Sequence, residues 1–188
     1  MRTDVMQFAA LADLAAEPVG PPLPWERSRE ACGVEFPADY REFIDQFGPG
    51  EVRSYLGVNA PWPWPGSSQD GEIFRVFTSR TIEDLGPVFR EMRDEDPALC
   101  PYPLLPETGG LLHWGGTIQG DQFFWLTSDP DPMEWPVVAW FRGKDLRDAW
   151  RRYNMRFVAF LVHALSGEDQ DMHDLLNWPN EPFWRRTG

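Results

Sequence analysis

The chain is short of positive charge, and of lysine above all. Lys144 is the only lysine among 188 residues, and 17 basic residues face 30 acidic ones for a formal charge of −13. Neutralising a nucleic-acid backbone or an anionic bilayer needs clustered Lys and Arg, so this balance argues against both partners. Cysteine is scarce too. Cys32 and Cys100 stand alone, without CxxC or metal-ligand spacing, which argues for two reduced thiols rather than a disulfide framework. Long apolar runs are missing. The run Phe8 to Ala16 is interrupted by Asp13, is too short to span a bilayer and lacks the basic flank of an export signal, so a cytoplasmic protein is expected. His113, His163 and His173 are far apart and form no HExxH, which argues against a zinc site. There is no GxxxxGK[ST] loop, no GxSxG elbow and no repeat of fixed period.

What the chain does have is apolar and aromatic bulk. A hydrophobic share of 42% and an aromatic share of 14% suffice for a sizeable core in one domain. The centre of the pattern is Leu111 to Phe141. Three short runs lie there, Leu111–Trp114, Gln122–Thr127 and Trp135–Phe141, divided by Gly115-Gly116, by Gly120-Asp121 and by Asp129-Pro130-Asp131-Pro132. Short aromatic and β-branched runs bounded by Gly, Pro and Asp signal strands and hairpins. The expectation is an antiparallel meander, with the glycines in turns and bulges.

Around the meander the periodicity predicts helices. Residues 3 to 16 form a short one, capped by Thr3 or Asp4. Trp25 to Cys32 follows, opened by Pro24 and closed by Gly33. In 36 to 50, Phe36, Tyr40, Phe43, Ile44 and Phe47 recur on one helical face, and Asp39 and Glu42 complement the positive end of the helix dipole. Thr81 to Asp96 carries Ile82, Leu85, Val88, Phe89 and Met92, with Thr81 and Asp84 at capping-box spacing. The last helix, Asn154 to Ser166, has Asn154 as cap and Gly167 as stop. Glu51 to Val58 alternates as one strand, and Glu72 to Phe77 adds a short one. Leu146 to Tyr153 suits strand or helix equally. Residues 59 to 71 are a loop, because Pro61, Pro63 and Pro65 break regular structure around Trp62 and Trp64.

Asp129 and Asp131, with Asp121 and Glu134 nearby, have the residue type of hard-cation ligands or paired acid catalysts. The spacing lacks the glycine and terminal glutamate of a calcium loop, and DPDP is a natural turn. No catalytic residue, cofactor site or metal site is assigned.

Three segments together resemble the SUKH superfamily. They are Trp25 to Phe47 (WERSREACGVEFPADYREFIDQF), Leu111 to Phe141 with its Gly120-Asp121 followed by an aromatic strand and Pro-Val-Val, and Phe157 to Leu165 with its Phe-x-x-Phe-Leu. They occur in the family's order. The departures are the N-terminal segment, the Trp-Pro loop, the long tail, and Gly48-Pro49-Gly50 where the family has Asn-Gly. The resemblance implies an α+β domain with a mainly antiparallel sheet of about five to six strands and helices packed against it. The expected division is 1–24 as a helical extension and Pro-rich connector, 25–166 as the SUKH-like domain, and 167–188 as a tail packed on it.

The resemblance also implies a non-catalytic protein-binding module. Many members are immunity proteins that neutralise polymorphic toxins, and others are regulatory scaffolds. The expected partner is a basic toxin domain, a nuclease for example, because opposite potentials steer association. The alternative is an adaptor with no toxin partner. Candidate contact residues are Trp62 and Trp64 as aromatic anchors and three acidic groups: Asp94, Glu95 and Asp96; Asp129, Asp131 and Glu134; and Glu168, Asp169, Asp171 and Asp174.

Overall fold

Phe123 and Trp125 point to one side of their strand and Phe124 and Leu126 to the other, and all four are buried. A strand buried on both faces needs a layer on each, and the fold supplies them. In the computed structural model, which describes residues 2–14, 23–61, 80–167, 169–172 and 183–187, the chain is α+β. Its strands are β1 (Gly50–Val52), β2 (Leu56–Val58), β3 (Leu111–Thr117), β4 (Gln122–Leu126), β5 (Val137–Trp140), β6 (Trp150–Tyr153) and β7 (Trp184–Arg186). They form one sheet in the order β6-β5-β4-β3-β2-β1-β7, with every neighbouring pair antiparallel. The strand count is seven, above the five to six expected.

Among the described residues, five α-helices pack around the sheet: α1 (Arg2–Leu11), α2 (Trp25–Cys32), α3 (Ala38–Phe47), α4 (Gly86–Glu95) and α5 (Phe157–Ser166). The face carrying Leu112, Trp114, Phe123, Trp125, Val137 and Ala139 meets α1, α3 and α5. The core there is aromatic and packs edge to face: Tyr40 lies 4.8 Å from Trp125 and 5.1 Å from Phe157, and Phe8 lies 4.9 Å from Phe43. Such pairs add about 0.5–1.5 kcal/mol each beyond the area they bury. The other face, with Leu111, Phe124, Leu126 and Val138, meets Phe89 of α4, Leu104 and Trp150. The residues of α1 that enter the core, Val5, Phe8, Ala9 and Ala12, join the same cluster as α3 and α5.

Several local expectations shift. Glu51 to Val58 is not one strand but a hairpin. Arg53 and Ser54 take φ values of 51° and 52° at its turn, a left-handed pair that usually asks for Asn-Gly. Without glycine, asparagine or proline there, alternation alone could not reveal the turn. Gly115 and Gly116 lie inside β3 rather than dividing it, and the ladder slips between His113 and Gly115, leaving Trp114 in a bulge. Thr81 does not cap a helix. A π-helical turn, Arg80–Leu85, precedes α4, and the Thr81 hydroxyl oxygen accepts the His113 amide at 3.0 Å. Leu146 to Tyr153 divides into a 3₁₀ turn, Leu146–Asp148, and β6. Of the tail, β7 pairs with β1, and Trp184 packs against Phe8 and Phe43. Glu72 to Phe77 lies outside the described residues.

The cap of α5 comes from elsewhere in the chain. Asn154 accepts a bond from Arg152 instead, and Arg156 stands at the N-cap position without a side-chain cap. Asp39, on the first turn of α3, does the capping. Its Oδ1 accepts the Tyr40 amide at 2.9 Å and its Oδ2 accepts the Val158 amide at 3.0 Å. One carboxylate, 1% exposed, thus serves the N-termini of α3 and α5 together. Burial pushes its pKa up, outweighing the Val158 and Tyr40 bonds and the charge of Arg156, which pull it down.

Candidate functional site

The three acidic groups occupy separate places and serve different ends. Trp62, Trp64, Glu168 and Asp174 lie outside the described residues.

Asp129, Asp131 and Glu134 sit on the loop between β4 and β5. Asp129 Oδ1 accepts the Asp131 amide at 2.9 Å, and Asp131 Oδ1 accepts the Met133 amide at 2.9 Å. Two successive Asx turns therefore fold the DPDP segment, and the Trp135 indole closes it by donating to the Asp129 carbonyl at 2.6 Å. Glu134 lies 3.7 Å from Arg156 as an exposed ion pair. Asp121 also builds structure: it accepts the Thr117 hydroxyl at 2.7 Å and the Arg142 amide at 3.0 Å, pinning the β3–β4 turn to the chain that follows β5.

Asp169 and Asp171 turn inward, beside β6 and α5. Asp171 binds both Lys144 and Arg151, and Asp169 lies 3.6 Å from His163 Nε2. Burial, then the Asp169 and Asp171 carboxylates, push the Tyr153 phenol far up. Met172, 3% exposed, anchors the same segment in the core. These carboxylates form a clasp holding the start of the tail across α5 and β6. Burial alone would raise the Asp171 carboxyl, but Lys144 and Arg151 hold it below the usual value. A group with a depressed folded pKa contributes stability above its unfolded value, near 3.8, that is lost as pH falls through the folded one. Asp171→Asn is therefore expected to lose about 1 kcal/mol at pH 7. Its deficit against the wild type should close on acidification below pH 3.8, measured by thermal unfolding across that range.

The third group behaves differently. Val88, Glu91, Asp94 and Glu95 are exposed on one face of α4, and Glu83 is exposed on the π turn before it. The two arginines of α4 are turned to its flanks. Arg93 grips Glu107 in a two-pronged pair at 2.6 and 3.2 Å, and Arg90 donates to the Ile82 carbonyl at 3.3 Å. Among the described residues, Glu83, Glu91, Asp94 and Glu95 have no cation within ion-pair distance. Asp96 is set apart from them: it accepts the Ala98 amide and pairs with Arg147. Glu91 belongs with Asp94 and Glu95 at i+3 and i+4, a spacing readable in the sequence but hidden there by Arg90 and Arg93.

A concave feature runs along the end of the sheet where α2, the start of α3, the β4–β5 loop and the β6–α5 connection meet. It is a furrow of three adjoining cavities of about 300, 470 and 200 Å³. Met133 is shared by the first two, and Glu35, Phe36 and Arg41 by the last two. No sequence motif marks it, because its walls come from three distant segments.

Among the described residues, no three His, Cys, Asp or Glu side chains come together as a metal-binding group, and no helix is long and apolar enough to cross a membrane. No protein-family model, curated protein or solved structure matches the chain. What is established is the class of fold, an α+β domain with a seven-stranded antiparallel sheet covered by helices on both faces.

Proposed function

We propose that this domain is a non-catalytic protein-binding module, specifically a cytoplasmic immunity protein that sequesters a basic toxin domain. The observation that carries the reading is the outer face of α4. Among the described residues its Glu91, Asp94 and Glu95 have no cation within ion-pair distance, while its own arginines are tied to Glu107 and to a backbone carbonyl. That arrangement leaves an acidic face around exposed Val88 on a chain of net charge −13. Such a face accelerates encounter with a basic partner and selects against acidic ones. The SUKH resemblance supports the same reading. Its three segments meet in one core, and Asp39 of the first bonds to the amide of Val158 in the third.

The test is co-expression with the product of the adjacent gene, scored by growth and by co-purification. Rescue of growth together with a stable complex is the expected result. With neither, the immunity reading fails. Within such a complex, the triple substitution Glu91→Lys, Asp94→Lys, Glu95→Lys is expected to weaken binding about a hundredfold, chiefly through slower association. It should also reduce the salt dependence of the association rate. An unchanged affinity would remove α4 from the interface.

A further inference from the structure

We propose that the outer edge of β6 is a latent pairing surface for a second copy of this chain, held shut by Arg151. The inference stands on the hydrogen bonding of the sheet and is independent of the immunity reading.

β6 ends the sheet on one side, and among the described residues no strand pairs with its outer edge. The Phe141 amide donates to the Ala149 carbonyl at 2.8 Å, which fixes the alternation along the β5–β6 ladder. Arg151 and Tyr153 therefore exchange their backbone bonds with Ala139 and Val137. Trp150 and Arg152 turn their N–H and C=O groups outward, away from β5. Outward groups on a terminal strand are a template on which another chain can pair.

Arg151 covers part of that template. Its side chain leaves β6 on the face of Ala139, and the guanidinium turns back to the edge. Nη1 donates to the Asp148 carbonyl at 2.7 Å and to the outward Trp150 carbonyl at 2.9 Å, while Nε donates to Asp171 Oδ2 at 2.7 Å. Asp171 is itself fixed. Its amide donates to Asp169 Oδ1 at 2.8 Å, and Lys144 holds its other oxygen. Charge-assisted bonds on both sides thus keep the guanidinium on an acceptor that a neighbouring strand would need.

The geometry of self-pairing makes the same residue a second barrier. One antiparallel register sets both outward residues of β6 against both of a second copy. Trp150 then lies opposite Arg152 and Arg152 opposite Trp150, about a two-fold axis. Each Trp150 carbonyl must accept the facing Arg152 amide, and that carbonyl is the one Arg151 occupies. The register also sets Arg151 against Arg151 in a pair without hydrogen bonds, where Cα atoms approach to about 4.5 Å. Like charges directly opposite repel. Without Arg151 both obstacles go, and each Arg152 keeps a cross-strand tryptophan on its own face, a favourable cation–π pairing. This self-complementarity is what names a second copy as the occupant.

The test measures the mass of the full chain by sedimentation equilibrium over a concentration series, with amide exchange followed by NMR. The wild type is expected to stay monomeric. Arg151→Ala should strengthen self-association at least about tenfold and slow exchange of the Trp150 and Arg152 amides. Lys144 still holds Asp171 in that variant, so the tail remains clasped, and a cooperative melting curve checks the fold. Adding Arg152→Pro removes an N–H that points outward, which an edge strand tolerates, and should return the chain to a monomer. Association through partial unfolding would survive the proline, whereas association through the edge would not. A wild type that already dimerises, or Arg151→Ala that stays monomeric, would overturn the proposal. So would a dimer that leaves the two amides unprotected or that survives Arg152→Pro.

Discussion

Asp39→Ala is expected to destabilise the domain by about 3 kcal/mol, the sum of a lost helix cap and two buried amides left without an acceptor. The amides are those of Tyr40 in α3 and Val158 in α5, 119 residues apart from Asp39 in the second case. Neither can turn to water, because Asp39 is 1% exposed and Val158 is fully buried. Asp39→Asn keeps one acceptor oxygen and presents an amide donor toward the other N–H, so its loss should be milder, about 1–2 kcal/mol.

The pH dependence separates Asp39 from ordinary acid lability. Its folded pKa is raised, first by burial. Between the unfolded value of 3.8 and the folded one, the native state holds more protons than the unfolded state. Stability then falls as pH rises through that window. The contribution is complete below pH 3.8 and lost above the folded pKa. The wild type should therefore gain on Asp39→Asn as the solution is acidified, the opposite sign to the Asp171 clasp. Denaturant unfolding of both proteins across the acid range checks it. A stability difference that shrinks on acidification would show that Asp39 is not held against ionisation.

The second large effect is Gly115→Ala. Gly115 faces Val58 across the β2–β3 ladder, where a Cβ would stand 2.2 Å from the Gly57 carbonyl oxygen. That neighbour is backbone and cannot rotate away. The strands would have to separate at the bulge around Trp114, beneath the aromatic cluster of Phe123 and Phe157. Overpacking of this kind costs about 3 kcal/mol, which lowers the melting temperature by about 10 °C in a domain of this size. The control lies on the facing strand. A Cβ on Gly57 meets only the Gly116 carbonyl oxygen at 3.5 Å, an ordinary contact, so Gly57→Ala should lose well under 1 kcal/mol. Equal losses at the two positions would mean that flexibility, not the close strand approach, selects glycine at 115.

The acidic residues show how far the candidate site was legible. Asp94 and Glu95 were visible as an acidic run, and they stand on the exposed face of α4. Asp96, two positions from Asp94, pairs with Arg147 from a segment 51 residues on. Asp169 and Asp171 read as the same kind of surface charge but meet His163, Lys144 and Arg151 instead. Composition cannot tell a displayed carboxylate from an engaged one, since that depends on which cation the fold brings opposite. The furrow was invisible for a related reason: its arginines and methionines are ordinary residues until three separate connections converge.

The sequence by itself determined the elements whose cause is local. The stripe of Phe36, Tyr40, Phe43, Ile44 and Phe47 dictates α3, and its buried residues include Tyr40, Phe43, Ile44 and Phe47. Gly33 and Gly167, at φ of 71° and 81°, end α2 and α5. The DPDP turn needs only its own side chains and amides. Tertiary structure alone decided what depends on approach in space. It made β4 a strand buried on both faces, placed Gly115 against the Gly57 carbonyl, and assigned the cap of α5 to Asp39 rather than to Asn154. The reason is physical. Periodicity and turn chemistry act over a few residues, whereas a buried amide takes whichever acceptor the packed core brings within hydrogen-bond reach.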